Sequence, residues 1–388
     1  MIAKILVVDD EADLEVLIKQ KFRQKIREKQ YEFLFAISGR HALETLEQNT
    51  DVDLVISDIN MPEMDGLTLL NRLKEQQNNA LKTVIVSAYG DMENIRTAMN
   101  RGAFDFITKP INFEDLEITI NKTLDEISLI RKSMDEHNQL ISIQEDLNIA
   151  RKIQQAILPK VFPTFSDNRQ FEIYASMEAA KSVGGDFYDF FMIDENRLGF
   201  VIGDVSGKGV PAAIFMAVSR TLIRATGIQG LSAVDCINSV NKLLCLESVS
   251  SMFVTVFYGI LDISTGKVDY VNAGHNPPYI LTQTGIKKVD MTGGIVLGVF
   301  DDFEYQSKSF LLDPGDYLFL FTDGVTEAFN DKDELFSDNR LEDLLKSRTT
   351  TSIVDVVKDT FEAVNVFSSG VPQSDDITIL SLAYHGKK

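Results

Sequence analysis

The stretch "DLVISDINMPEMDG", Asp53 to Gly66, joins a continuous apolar run to an acid and then to a turn bearing Pro and Gly. An apolar run without polar alternation predicts a strand buried on both faces, as in a parallel sheet covered by helices. The flanking sequence repeats the pattern. "KILVVDD", "YEFLFAIS", "TVIVSAY" and "DFITKP" read as further strands, with "ADLEVLIKQKFRQKI", "GRHALETLEQ", "GLTLLNRLKEQQ" and "MENIRTAMNRGA" as helices between them. Residues 1–122 are therefore expected to form a doubly wound α/β domain, which binds ligands beyond the carboxyl ends of its strands.

The polar residues fall at that edge. Asp9 and Asp10 close the first strand, Asp58 the third, Ser87 the fourth and Lys109 the fifth. Three carboxylates on one rim repel one another unless a hard cation sits among them, and magnesium takes such a set together with phosphate and water. A carboxylate beside that cation can accept a phosphoryl group, whose oxygens the Lys109 ammonium and the Ser87 hydroxyl could hold.

In this order, with "MPEMDG" after Asp58, the set resembles a response-regulator receiver domain of the flavodoxin-like fold over about residues 1–125. The resemblance implies that Asp58 is the phosphoacceptor and that Asp9, Asp10, Asp58 and the Asn60 carbonyl bind Mg2+. It also implies Ser87, Phe106 and Lys109 as switch residues, Pro110 in a cis peptide bond, and a sensor histidine kinase or phosphotransfer protein as partner.

From Phe113 to Leu158 neither Gly nor Pro interrupts the chain. Ile120, Leu124, Ile127, Arg131, Met134, Asn138 and Ile141 follow a four-three spacing, and a shifted frame runs through Leu140, Ile143, Leu147, Ala150, Gln154 and Ile157. A heptad seam with a phase change predicts an adjustable coiled-coil linker over 123–158 and a homodimer through it. The competing reading is a helix that packs its stripe on its own domain.

Beyond Pro159 the pattern changes. Strands "QFEIYASM", "RLGFVIGDV", "FVTVFYGILDI", "KVDYVNAG", "PPYILTQTG", "YLFLFTD" and "DITILSLAYH" surround helical stretches at 210–228, 231–248 and 352–366. This predicts an α+β domain over 159–388, a β-sandwich of two sheets flanked by helices. Asp186 follows two glycines, Asp204 and Asp323 end apolar runs, and Asp375 and Asp376 precede the last strand. Four such acids could hold two hard cations ~3.5–4 Å apart that activate a shared water for attack on phosphorus. Asp189 lies three residues beyond Asp186, on the opposite strand face, and is expected to be structural. His275 reads as a structural hydrogen bonder. Neither a Walker A spacing nor a GxSxG elbow is present.

The pieces "GGDFYD", "GDVSGKGVPAA", "AGHNPP", "FTDGVTEA" and "SDDITIL" resemble the protein phosphatase 2C superfamily, in its bacterial branch that acts on sporulation and stress regulators. The resemblance implies two Mn2+ or Mg2+ ions on Asp186, Asp204, Asp323, Asp375 and the Val205 carbonyl, and catalysis through a metal-activated water. Asp376 stands where Asn is common and is expected to support the others. The branch lacks the phosphate-binding arginine of the wider family, and Lys208 is the candidate substitute. The implied substrate is a phosphorylated anti-sigma-factor antagonist in a partner-switching pathway. The alternative is a non-catalytic adaptor that uses the phosphatase fold to bind a sigma-factor regulator, which the retained acids disfavour.

Composition agrees with this frame. A length of 388 residues suits two or three domains, and 44% hydrophobic with 25% charged residues is ordinary for a globular protein. The net charge of -20 excludes a polyanionic partner such as nucleic acid. Cys236 and Cys245 lack zinc or disulfide spacing and are expected to be buried thiols. The N-terminus is unlike a signal peptide and no run nears the ~20 apolar residues of a membrane span, so a cytoplasmic location is expected.

Overall fold

The computed structural model describes residues 2–76, 80–88, 90–163, 170–247, 252–347 and 352–386. Gln77, Tyr89 and Ser248, the last residues of three expected elements, lie outside them. The chain divides into two compact units, Met1–Ile143 and Gln144–Lys388.

The first unit contains β1 (Ala3–Val8), α1 (Ala12–Lys21), α2 (Arg23–Arg27), β2 (Tyr31–Ala36), α3 (Gly39–Gln48), β3 (Leu54–Asp58), α4 (Gly66–Glu75), β4 (Lys82–Ala88), α5 (Met92–Arg101) and β5 (Asp105–Lys109). The strands form one parallel sheet in the order β2-β1-β3-β4-β5. Their apolar runs are buried on both faces: β3 is buried at all five residues, and Ile5, Leu6, Val8, Leu54, Val55, Val84 and Ile85 are 0% exposed. Ser38 and Asp65 accept hydrogen bonds from His41 N–H and Thr68 N–H, capping α3 and α4. The expected first helix is broken at Phe22 into α1 and α2.

Helix α6 runs from Phe113 to Ile157 without a break. Leu116 and Ile120 are at most 1% exposed and pack in the core of the parallel sheet with Leu124 against it, and Ile127 is 1% exposed one turn further on. Arg131 pairs with Asp53 at 2.6 Å. Over Ile120–Arg131 the helix thus spends its stripe on its own domain, where the seam had been expected to face a second chain. Full burial of such side chains is worth about 1.5–3 kcal/mol each, and here it is obtained within the chain's own domain. Residues 132–146 are all exposed, and Leu147, Ala150 and Ile157 are half-buried around a buried Gln154.

The second unit adds β6 (Phe171–Glu178), β7 (Phe187–Met192), β8 (Arg197–Val205), α7 (Val210–Gly227), α8 (Ala233–Glu247), β9 (Val254–Asp262), β10 (Lys267–Ala273), β11 (Tyr279–Thr282), β12 (Gly285–Lys288), β13 (Lys308–Leu311), β14 (Tyr317–Phe321), α9 (Asp323–Thr326), α10 (Ser337–Lys346), α11 (Ile353–Phe367) and β15 (Ile377–Tyr384). Two five-stranded antiparallel sheets result, β13-β10-β9-β8-β7 and β12-β11-β14-β15-β6. Strand β15 is buried at every residue, and its Leu380 and Leu382 join Phe200, Phe257 and Tyr258 of the first sheet in one core. A second core lies between the other face of the β14–β15 sheet and helices α10 and α11. Cys236 is buried as expected. Cys245 is only half-buried, because it lies on a more exposed part of α8. Among the described residues no helix is long and apolar enough to cross a membrane.

Candidate phosphoacceptor site and candidate metal centre

The parallel sheet places its acids at one rim because β1 and β3 end together there. Asp9 follows β1, where its N–H donates to the Ala36 carbonyl and its Oδ1 accepts from Glu11 N–H at 2.9 Å. Asp58 closes β3, and its Oδ1 accepts from Ile59 N–H at 2.7 Å. A Cβ on Gly66 would lie 2.1 Å from the Asp58 carbonyl oxygen, so only glycine lets α4 start against this strand end. Carboxylate oxygens of Asp9, Asp10 and Asp58 lie within 4.8 Å of one another. Asp9 and Asp58 are buried, while Asp10 and Asn60 are exposed.

Lys109, at the end of β5, extends its Nζ to Asp58 Oδ2 at 2.8 Å, Asp9 Oδ2 at 3.0 Å and Glu11 Oε1 at 3.3 Å. Burial opposes its charge, but the hydrogen bonds to Asp58 and Asp9 outweigh that and hold its pKa above the ordinary lysine value. The Lys109–Pro110 bond is cis. Ser87 is fully buried, and its hydroxyl has no hydrogen-bond partner among the described residues. Phe106 is 38% exposed. Glu11 was not singled out from the sequence, although the run "DDE" carries it two residues past Asp9.

The second rim gathers acids from both antiparallel sheets. Asp186 precedes β7, is 1% exposed, and accepts from Thr322 Oγ1 at 2.7 Å. Asp204 is the last residue but one of β8, Asp323 opens α9, and Asp375 precedes β15; all three are half-buried. The Val205 carbonyl lies against Gly185. Burial raises the Asp186 carboxyl well above the usual range, and the charges of Asp204 and Asp376 raise it further. Asp204 is pushed up to about 7 by burial and by Asp323. Asp323 rises to about 6 through burial, Glu327 and Asp375. These carboxylates therefore stand close enough to oppose one another's ionisation.

An all-oxygen donor set under mutual repulsion fits hard divalent cations, whose charge would return each acid to its ionised form. Among the described residues only Asp9, Asp10 and Asp58 bring three ligand atoms within 4.8 Å of one another. The acids of the second rim are spread wider, which suits a pair of ions better than one.

Asp376 faces the turn that bears Asp186. Its Oδ1 accepts from Ala180 N–H at 2.8 Å, and its Oδ2 from Gly185 N–H at 2.6 Å and Asp186 N–H at 3.4 Å. A Cβ on Gly184 would lie 2.2 Å from that Oδ2. The same turn is held from α6, where Gln154 Nε2 donates to the Gly184 carbonyl at 2.6 Å and Gln154 Oε1 accepts from Gly184 N–H at 3.1 Å. In the sequence Gln154 falls on the α6 seam, where its signal is a polar residue inside an apolar stripe.

Of the remaining candidates, Asp189 and His275 fall outside the acid cluster and Lys208 pairs with one of its members. Asp189 is fully buried in β7 and is paired by Arg220 Nε at 2.8 Å and Arg224 Nη1 at 2.5 Å, both from α7. Burial raises its carboxyl and the arginines offset part of the rise, so it ties a strand to a helix. His275 is buried, with Nδ1 2.8 Å from Thr255 Oγ1, and burial pushes it down to about 4, which keeps it neutral. Lys208 places its Nζ 2.8 Å from Asp375 Oδ2.

The family model of the response regulator receiver domain matches residues 5–121, and that of stage II sporulation protein E matches residues 194–385. Asp204, Asp323 and Asp375 lie inside the second span and Asp186 just before it. Protein IcfG of Synechocystis sp. is 33% identical over 310 residues, covering 69% of this chain and 48% of IcfG. The chain thus spans about half the length of that relative. Phosphoserine phosphatase RsbU of Bacillus subtilis is 28% identical over 252 residues, 64% of this chain and 73% of RsbU. The solved SiaA-PP2C domain of Pseudomonas aeruginosa shares 20% identity at a TM-score of 0.56, covering 63% of this chain and 98% of that domain. At that identity the likeness is one of fold.

Proposed function

Because the chain belongs to the response regulators that join a receiver domain to a SpoIIE-type, protein phosphatase 2C-like domain, we propose that it is a metal-dependent protein serine/threonine phosphatase controlled by phosphorylation of Asp58. The observation that carries the reading is the meeting of Asp186, Asp204, Asp323 and Asp375 at one rim, three of them with carboxyls raised by burial and mutual repulsion.

Two Mn2+ or Mg2+ ions on these four acids and the Val205 carbonyl would supply the charge that makes water a nucleophile at neutral pH and offsets charge on the phosphoryl oxygens. The chain's own residues supply the geometry. Asp376 and Gln154 hold the turn before β7 from two sides, which fixes Asp186. Thr322 donates to Asp186 Oδ2 and helps to orient the carboxylate. At the receiver rim the Asp58 carboxylate would attack the phosphorus of a phosphoryl donor and become an aspartyl phosphate as the bond from phosphorus to the donor breaks, and Asp9, Asp10, Asp58 and the Asn60 carbonyl would hold Mg2+. Lys109 and Ser87 would bind the transferred phosphoryl oxygens, with Phe106 following the switch.

The phosphoryl source would be a sensor histidine kinase or a phosphotransfer protein. The substrate would be a phosphoserine or phosphothreonine on an anti-sigma-factor antagonist, consistent with the likeness to the phosphoserine phosphatase RsbU. The exposed apolar residues Leu140, Ile141 and Ile143 of α6 would form the contact of a homodimer, with the whole assembly in the cytoplasm.

The test is release of phosphate from such a phosphorylated antagonist with Mn2+, with and without acetyl phosphate to load Asp58. Turnover that depends on Mn2+ and changes with the donor is expected. No turnover in either condition would refute the reading.

A further inference from the structure

We propose that Lys208 is an exchange cation: it neutralises Asp375 until divalent ions enter, and then turns to the phosphoryl group of the substrate. The second half rests on the phosphatase reading; the first does not. Lys208 lies in the turn between β8 and α7, between Gly207 and Gly209. Its Nζ stands 2.8 Å from Asp375 Oδ2 and also donates to the Ser374 carbonyl. The side chain is 40% exposed and that of Asp375 34%, so the pair sits at the mouth of the rim rather than beneath it.

The hydrogen bond to Asp375 raises the Lys208 pKa, and the charges of Asp375, Asp376 and Asp323 act in the same sense. The ammonium therefore faces three of the acids. Arg220 and Arg224 are engaged by Asp189 elsewhere. Among the described residues, Lys208 is thus the cation paired with this rim.

A divalent ion at Asp375 competes with the ammonium for the same carboxylate. Two such ions bring four positive charges to a rim that one lysine had been serving, and the ammonium loses most of its attraction to it. Lysine is a compact point charge on a flexible four-carbon stem, so it can move without loss of hydrogen-bond geometry. Its next anionic partner is then the dianionic phosphoryl group of the substrate.

The experiment titrates Mn2+ calorimetrically into the full chain and into Lys208→Ala and Lys208→Met, the latter keeping a four-atom stem without charge. Both variants are expected to bind Mn2+ about fivefold more tightly than the parent, the scale of a half-exposed ion pair. With Mn2+ saturating, KM for the phosphoprotein is expected to rise about tenfold in both while kcat changes less, the loss of one charge-assisted hydrogen bond. Mn2+ affinity equal to or below that of the parent overturns the proposal, and so does tighter Mn2+ binding with an unchanged KM. If the parent binds Mn2+ yet turns over no phosphoprotein, the phosphatase reading fails by itself. The Mn2+ isotherms and inorganic phosphate binding to the Mn2+-loaded protein, expected to be about fivefold weaker in the variants, then decide the role of Lys208.

Discussion

At the receiver rim Lys109 lies within 3.3 Å of three carboxylates, those of Asp9, Glu11 and Asp58. At the second rim five aspartates, Asp186, Asp204, Asp323, Asp375 and Asp376, oppose one another, and among the described residues one lysine, Lys208, pairs with Asp375. The first cluster carries its own counter-charge on β5, the edge strand of the same sheet. The second is under burial and repulsion, which push Asp204 up to about 7 and Asp323 to about 6. A rim balanced from within can bind its ion lightly and be switched; a rim under repulsion depends on its ions for charge balance.

The largest expected effect that would break this contrast lies at Asp204. Asp204→Asn removes one negative ligand and is expected to lower Mn2+-dependent turnover by more than about a hundredfold, beyond what loss of a supporting residue around a metal costs. Steady-state release of phosphate measures it, and near-normal turnover would mean that the repelled acids do not serve metal.

A smaller effect is expected at Asp376, which touches the Asp186 turn rather than solvent. Asp376→Ala leaves the Ala180 and Gly185 N–H groups unpaired, at about 1–3 kcal/mol for each buried donor. A lowered Tm together with about 10–100-fold weaker Mn2+ binding is expected. Unchanged metal affinity would show that Asp376 only braces the fold.

The third effect is one of pH. Asp204 and Asp323 titrate near about 7 and about 6 in the folded protein, above the ~3.9 of an unfolded aspartate. Their contribution to stability is therefore fully present below the unfolded value and is lost as pH rises through 6 to 7. Chelator-treated protein is expected to lose a few degrees of Tm between pH 5 and pH 8, at about 2–4 °C per kcal/mol for a domain of this size. Saturating Mn2+ should remove that slope, because metal binds the ionised acids. Lys109 is raised instead, so its contribution is full at neutral pH and would be lost only far into the alkaline range. A slope that survives Mn2+ would place its origin outside the second rim.

What could be read from the sequence followed from where chemistry meets secondary structure. Asp9, Asp58, Ser87 and Lys109 each end an apolar strand, and parallel strands bring their carboxyl ends to one edge, so their meeting was legible. The acids of the second rim were legible as strand-end positions, but the wide spread of their ligand atoms was not. The supporting place of Asp376 was legible from the resemblance and Gln154 from its polarity inside an apolar stripe, but the backbone groups that each holds were not. The stripe from Ile120 to Arg131 was ambiguous in principle, since a coiled coil and a helix docked on its own sheet share the same period. Strands β12 and β13 are short and largely exposed, and α9 is a single turn, so none carries enough pattern to announce itself.

The close approaches at Gly66 and Gly184 extend this point to genetics. Neither residue offers a functional group, yet a methyl at either would sit 2.1 or 2.2 Å from an oxygen of Asp58 or Asp376. In a saturation library selected for output, these two positions should tolerate as few replacements as the acids beside them. A search for function that scores only reactive side chains would pass over both.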